Sequence, residues 1–78
     1  RELFDRLLDA NPNDWMVLTE RGSLAVQLDR PQDGEADLRR ADALAPPDIP
    51  PVHLVKCLRL LGKADEANKF QEKVDRIT

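Results

Sequence analysis

The sequence predicts an all-α chain, with five antiparallel helices stacked as a solenoid of helix pairs. Three observations lead there. Apolar residues recur at three- and four-residue spacing along nearly the whole length, the stripe of an amphipathic helix, and no segment alternates as a strand would. The chain also resembles itself. Asp9-Ala10-Asn11-Pro12-Asn13-Asp14 returns 34 residues later as Ala43-Leu44-Ala45-Pro46-Pro47-Asp48, and Leu28-Asp29-Arg30-Pro31-Gln32-Asp33-Gly34 returns 33 residues later as Leu61-Gly62-Lys63-Ala64-Asp65-Glu66-Ala67. A period near 34 laid over helical patterns marks a helix-pair repeat. Finally, prolines and glycines fall between the stripes and leave only short connections, which join antiparallel neighbours.

The first helix is expected from about Arg1 to Ala10, with Leu3, Phe4, Leu7 and Leu8 on one side. Asn11-Pro12 ends it, because the residue before a proline avoids the α region. Asn13 is expected to cap the second helix, with Asp14 suited to its positive end. That helix runs roughly from Asp14 to Leu28 on a stripe of Trp15, Leu18, Gly22, Ala25 and Leu28. A mid-helix Gly22 costs about 1 kcal/mol relative to alanine, which points to the close approach of a neighbouring helix. Pro31 fits the first turn of the third helix, where its missing N–H does no harm. Gly34, Leu38, Ala41 and Leu44 then face inward, and Pro46-Pro47 ends the helix. Asp48 is expected to cap the fourth helix, with Pro50 and Pro51 in its first turn. Leu54, Val55, Leu58 and Leu61 form its apolar face, and Gly62 is its left-handed C-terminal cap. The fifth helix spans about Ala64 to Ile77, with Ala67, Phe70, Val74 and Ile77 inward.

Composition bounds the function. Seventy-eight residues make one small domain, which leaves much of its surface wet. Starting at Arg1 without an initiator methionine, the chain reads as a piece of a longer protein, and it shows no signal peptide or membrane span. The net charge is −3, acidic over residues 1–48 and mildly basic over 49–78, with no basic stripe to neutralise successive phosphates. Neither nucleic acid nor a membrane is therefore an expected partner. The single Cys57 excludes an internal disulfide and leaves the compartment open, with the cytoplasm slightly favoured.

The inward residues resemble those of a tetratricopeptide repeat. Leu18, Gly22, Ala25, Gly34, Leu38, Ala41 and Pro46 follow the small, large and small order of that family's two helices and closing proline. Leu54, Val55, Leu58, Gly62, Ala67, Val74 and Ile77 match the next copy, and Phe4, Leu7 and Pro12 the tail of a preceding one. The resemblance implies a right-handed stack: the second helix of a truncated repeat at 1–12, a repeat at 13–46 and another at 47–78. The departures are Arg21 where the family usually has leucine, Ala25 for a large aromatic, Val55 for a small residue, and Gln71 for an inward aromatic beside Phe70.

Catalytic chemistry is sparse. His53 is the only histidine and Cys57, four residues on, the only cysteine. A general base needs a positioned partner and a thiol nucleophile an activating base. The expected roles are instead a helix-surface histidine and a small apolar residue. One Cys and one His cannot build a structural zinc site, and no phosphate-cradling glycine loop is present. Neither enzyme activity nor a cofactor is expected. Carboxylates sit four residues from bases at Arg1–Asp5, Glu2–Arg6, Glu35–Arg39, Asp65–Lys69 and Glu72–Arg76, the pattern of solvated helix faces. Asp33 and Glu35 suit a positive helix end. Trp15 is expected to pack near Leu7 and Leu8, with a partner anchor as the competing role.

In the resembling family, the first helices of successive repeats line a concave surface. Mapped here, that stripe is Met16, Thr19, Glu20, Ser23, Gln27, Val52, Lys56 and Arg59. A full carboxylate-binding clamp is absent, since Thr19 and Ser23 stand where part of it would be. The expected function is a non-enzymatic module that binds a peptide or partner helix on this face. The alternatives are a structural cap of a longer array, with the charged fifth helix outermost, or a packing domain of a larger enzyme. Self-association through the first helix is a further alternative.

Overall fold

In the computed structural model of this protein, residues 2–78 are described, Glu2 by its backbone alone. They form α1 (Glu2–Ala10), α2 (Trp15–Gln27), α3 (Pro31–Leu44), α4 (Val52–Leu60) and α5 (Ala64–Ile77), with no strand among the described residues. The breaks fall at Asn11-Pro12, Asp29-Arg30, Pro46-Pro47 and Gly62, as expected. No helix is long and apolar enough to cross a membrane.

Side-chain partners give the helix directions. Arg21 on α2 meets Asp5 on α1 and Asp37 on α3, while Cys57 near the end of α4 meets Pro31 at the start of α3. The last of these contacts sets α4 antiparallel to α3. α3 and α5 run parallel, since Arg39 and Asp42 on α3 meet Glu66 and Lys73 on α5 in the same order. Among next-but-one pairs, α2 and α4 approach along their backbones.

Two apolar clusters sit between the layers. One joins Val26, Leu38, Leu54, Val55, Cys57, Leu58, Ala67 and Val74, with Leu61 and Phe70 against it. The smaller joins Leu8, Leu18 and Ala41, with Trp15 and Val17 against it. The α2–α3 crossing is closest where two glycines meet. A Cβ built on Gly34 would lie 2.5 Å from the Gly22 carbonyl oxygen, and one on Gly22 would lie 2.6 Å from Leu38 Cγ. The mid-helix glycine is thus a contact point, as its cost implied.

α2 and α4 end alike. Arg30 N–H donates to the Ala25 carbonyl and Asp29 N–H to that of Val26; 33 residues on, Lys63 N–H donates to Leu58 and Gly62 N–H to Arg59. Each pair closes a helix in the same way, satisfying carbonyls that the last turn leaves free. The closing residue has positive φ in both, +62° at Asp29 and +77° at Gly62.

Several expectations are corrected. The N-cap of α2 is Asp14, not Asn13: its carboxylate accepts from Met16 N–H at 3.1 Å and Val17 N–H at 3.3 Å. Asn13 instead accepts from Arg40. Asp48 does not cap α4, which starts after Pro50 and Pro51 with no side-chain cap, because two prolines in a row extend the chain before it can coil. Leu3, Leu7, Leu28 and Leu44 were expected inward but are exposed, Leu3 at 65% and Leu7 at 44%. Leu3 and Leu7 lie on the side of α1 turned away from buried Leu8, and Leu28 and Leu44 are the last residues of their stripes. Of the expected four-apart ion pairs, Glu35–Arg39 forms, while Asp65–Lys69 and Glu72–Arg76 do not. Arg1–Asp5 and Glu2–Arg6 lie outside the described residues.

Candidate functional site

Between α2 and α4 the surface opens into a cavity of about 240 Å³. Trp15 and Thr19 supply the α2 wall, Leu38 and Ala41 on α3 with Ala45 just beyond it the floor, and Val52, His53 and Leu54 the α4 wall. Ile49, Pro50 and Pro51 close one end, and Asp42 marks its polar edge. The side chains there are mostly apolar, and Met16 on α2 and Val52 on α4 are exposed.

Of the eight residues expected on the concave stripe, Thr19 and Val52 are brought together in this cavity. Met16, Glu20, Gln27, Lys56 and Arg59 are exposed on the same two helices, and Ser23 is half-buried. Two of the expected polar groups are turned to their own helix. Thr19 Oγ1 donates to the Trp15 carbonyl at 2.8 Å, and Ser23 Oγ to that of Glu20 at 3.2 Å. Arg59 leans toward α5, where Nη2 lies 3.5 Å from Gln71 Oε1. Lys56 has no ion pair or hydrogen bond with another described residue. The stripe missed Trp15, His53 and the Ile49–Pro51 loop. The loop carries no helical period from which its position could be extrapolated. Trp15 packs on the smaller cluster, as expected, and also walls the cavity; Leu8 lies in that cluster, whereas Leu7 is turned to solvent.

Two charged assemblies brace the stack behind this groove. Arg21 donates to both carboxylate oxygens of Asp37 at 2.7 Å and to Asp5 at 2.9 Å, tying α1, α2 and α3 together. These partners, Asp37 above all, raise the guanidinium pKa further. An arginine thus occupies the position where leucine was expected because two facing aspartates receive it. The second assembly joins Glu35 to Arg39 and Lys63, with Glu66 also on Arg39. Lys63 and then Arg39 hold the Glu35 carboxyl below its ordinary range. Glu35 is therefore an ion-pair centre rather than a first-turn acid, and Asp33 alone is the first-turn acid of α3.

Cys57 is fully buried, and its Sγ–H donates to the Pro31 carbonyl at 3.2 Å. Burial, then the charge of Glu35, pushes its pKa up. A thiol held protonated beneath α3 is a packing group rather than a poised nucleophile. His53 lies one turn away on the exposed side. Among the described residues, no group of three or more His, Cys, Asp or Glu could hold a metal ion.

No protein-family model, curated protein or solved structure matches this chain.

Proposed function

We propose that this chain is a non-catalytic protein-interaction module, a right-handed stack of the tetratricopeptide type. In this reading a short peptide or partner helix lies in the groove between α2 and α4. The observation that carries it is the mostly apolar cavity walled by Trp15 and Val52. The repeat assignment is supported by the caps at Asp29 and Gly62, which share hydrogen bonds and positive φ at a 33-residue interval. It is also supported by Leu8, Ala41 and Val74, buried at the same interval. Helices braced by the Arg21 and Glu35 assemblies present a pre-organised wall, so binding would order the ligand and not the receptor.

Panning a displayed library of short peptides against the chain tests this. Enriched sequences should lose binding to Val52→Asn while the variant keeps its unfolding midpoint. Failure to enrich any sequence, or enrichment indifferent to Val52, would sink the groove reading.

A second reading, that the segment is a structural piece docked to further helices, is favoured by α1. Leu3 and Leu7 stand exposed one turn apart there, a strip that another helix or a second copy of the chain would cover.

A further inference from the structure

We propose that the groove selects a segment carrying an apolar side chain flanked by carboxylates, with the acids lying along α4. This rests on the groove reading above and names its ligand class. Charge complementarity carries it. α4 holds no acidic residue, yet His53, Lys56 and Arg59 are all exposed on it. Val52 walls the cavity, and Lys56 follows it one turn later and Arg59 two, on the same side of the helix.

Four other cations of the stack are already neutralised, and Arg30, Arg40, Lys69 and Arg76, which form no ion pair with another described residue, lie neither on α4 nor in the cavity lining. Arg21 is held by Asp5 and Asp37, Arg39 by Glu35 and Glu66, Lys63 by Glu35 and Lys73 by Asp42. Lys56 has no such partner among the described residues, and Arg59 has only the neutral Gln71 at 3.5 Å. In a chain of net charge −3, these two remain available beside an apolar cavity. The opposite wall carries the other sign, since Glu20 is the exposed charge on α2. A carboxylate is thus favoured on the α4 side and disfavoured on the α2 side. Two cations are too few for a nucleic-acid backbone, whose affinity grows with each phosphate neutralised.

Two fluorescein-labelled probes test the proposal by anisotropy: a peptide with a central leucine flanked by glutamates, and its twin flanked by lysines. The glutamate probe should bind about three- to tenfold more tightly at low salt, the range expected for two exposed pairs, and the gap should close as salt is added. The Lys56→Glu, Arg59→Glu double variant should reverse the order at an unchanged unfolding midpoint. If both probes bind equally and Val52→Asn weakens both, the charge assignment fails and the groove stands. If neither binds, both fail. Preference for the lysine probe also overturns the assignment.

Discussion

Asp29 and Gly62, 33 residues apart, close α2 and α4 with the same pair of backbone hydrogen bonds and the same left-handed turn. Only one of them is a glycine. For an L-residue the left-handed region costs roughly 1–2 kcal/mol, less for aspartate than for most. The two sites should therefore respond in opposite senses.

Gly62→Ala should destabilise the chain by about 1 kcal/mol, although a Cβ there meets no atom within 4 Å. The loss would come from the backbone alone. Asp29→Gly should gain roughly a few tenths of a kcal/mol, because relief of strain slightly outweighs the added freedom of the unfolded chain. Urea unfolding of both variants checks this. A loss at position 29 would show that the Asp29 side chain contributes more than its strained backbone costs.

At the helix crossing, Gly34→Ala should be worse than Gly22→Ala. The new methyl at 34 meets backbone, the Gly22 carbonyl, which cannot turn aside. At 22 it meets the Leu38 side chain, which has some freedom. Overpacking costs about 1–3 kcal/mol, against about 1 kcal/mol regained in helix propensity. Gly22→Leu should cost on the order of 1–3 kcal/mol. Unchanged urea midpoints would mean that the helices part easily.

Replacing Arg21 by leucine should cost on the order of 1–3 kcal/mol, because the poorly exposed Asp37 carboxylate loses both hydrogen bonds from its one partner. Replacing Arg21 and Asp37 together by leucine should recover much of that, since a well-packed apolar pair often equals a buried ion pair. A double-mutant cycle measures the coupling. Additive losses would show that the two side chains act independently.

Acid should weaken the α3–α5 junction through Glu35. Its folded pKa is depressed from 4.5, first by Lys63 and then by Arg39. A depressed carboxylate adds stability above its unfolded pKa, and that stability drains away as pH falls from about 5 through the folded value. Glu35→Gln should flatten this part of the stability–pH curve. A curve of unchanged slope would place the acid sensitivity elsewhere.

Much of this architecture was legible because helices announce themselves locally. Pro31, Gly62 and Pro46-Pro47 mark boundaries by backbone chemistry that needs no neighbour. The cap at Asp14 was missed by one residue, since Asn13 and Asp14 are both good caps and a contact with Arg40 on α3 engages the first of them. The burial of Leu28 and Leu44 was misjudged for a related reason. A stripe says which side of a helix is apolar, not how far the neighbouring helix extends. The Arg21 assembly was visible only as an anomaly, because Asp5 and Asp37 each lie 16 residues away along the chain. The groove was half legible: the α2 and α4 stripe pointed to it, but its end is built from a loop without period.

The two apolar clusters each carry their own intrinsic reporter. Trp15, the sole tryptophan, packs on the Leu8, Leu18 and Ala41 cluster, and Cys57, the sole thiol, lies within the other. Fluorescence therefore follows the N-terminal half of the molecule and thiol alkylation the C-terminal half, without any label being introduced. A chain held together by nearest-neighbour interfaces can open from one end, and these two signals would then separate in time and in denaturant. The wild-type protein thus comes already equipped to reveal whether it unfolds as one body or from its ends inward.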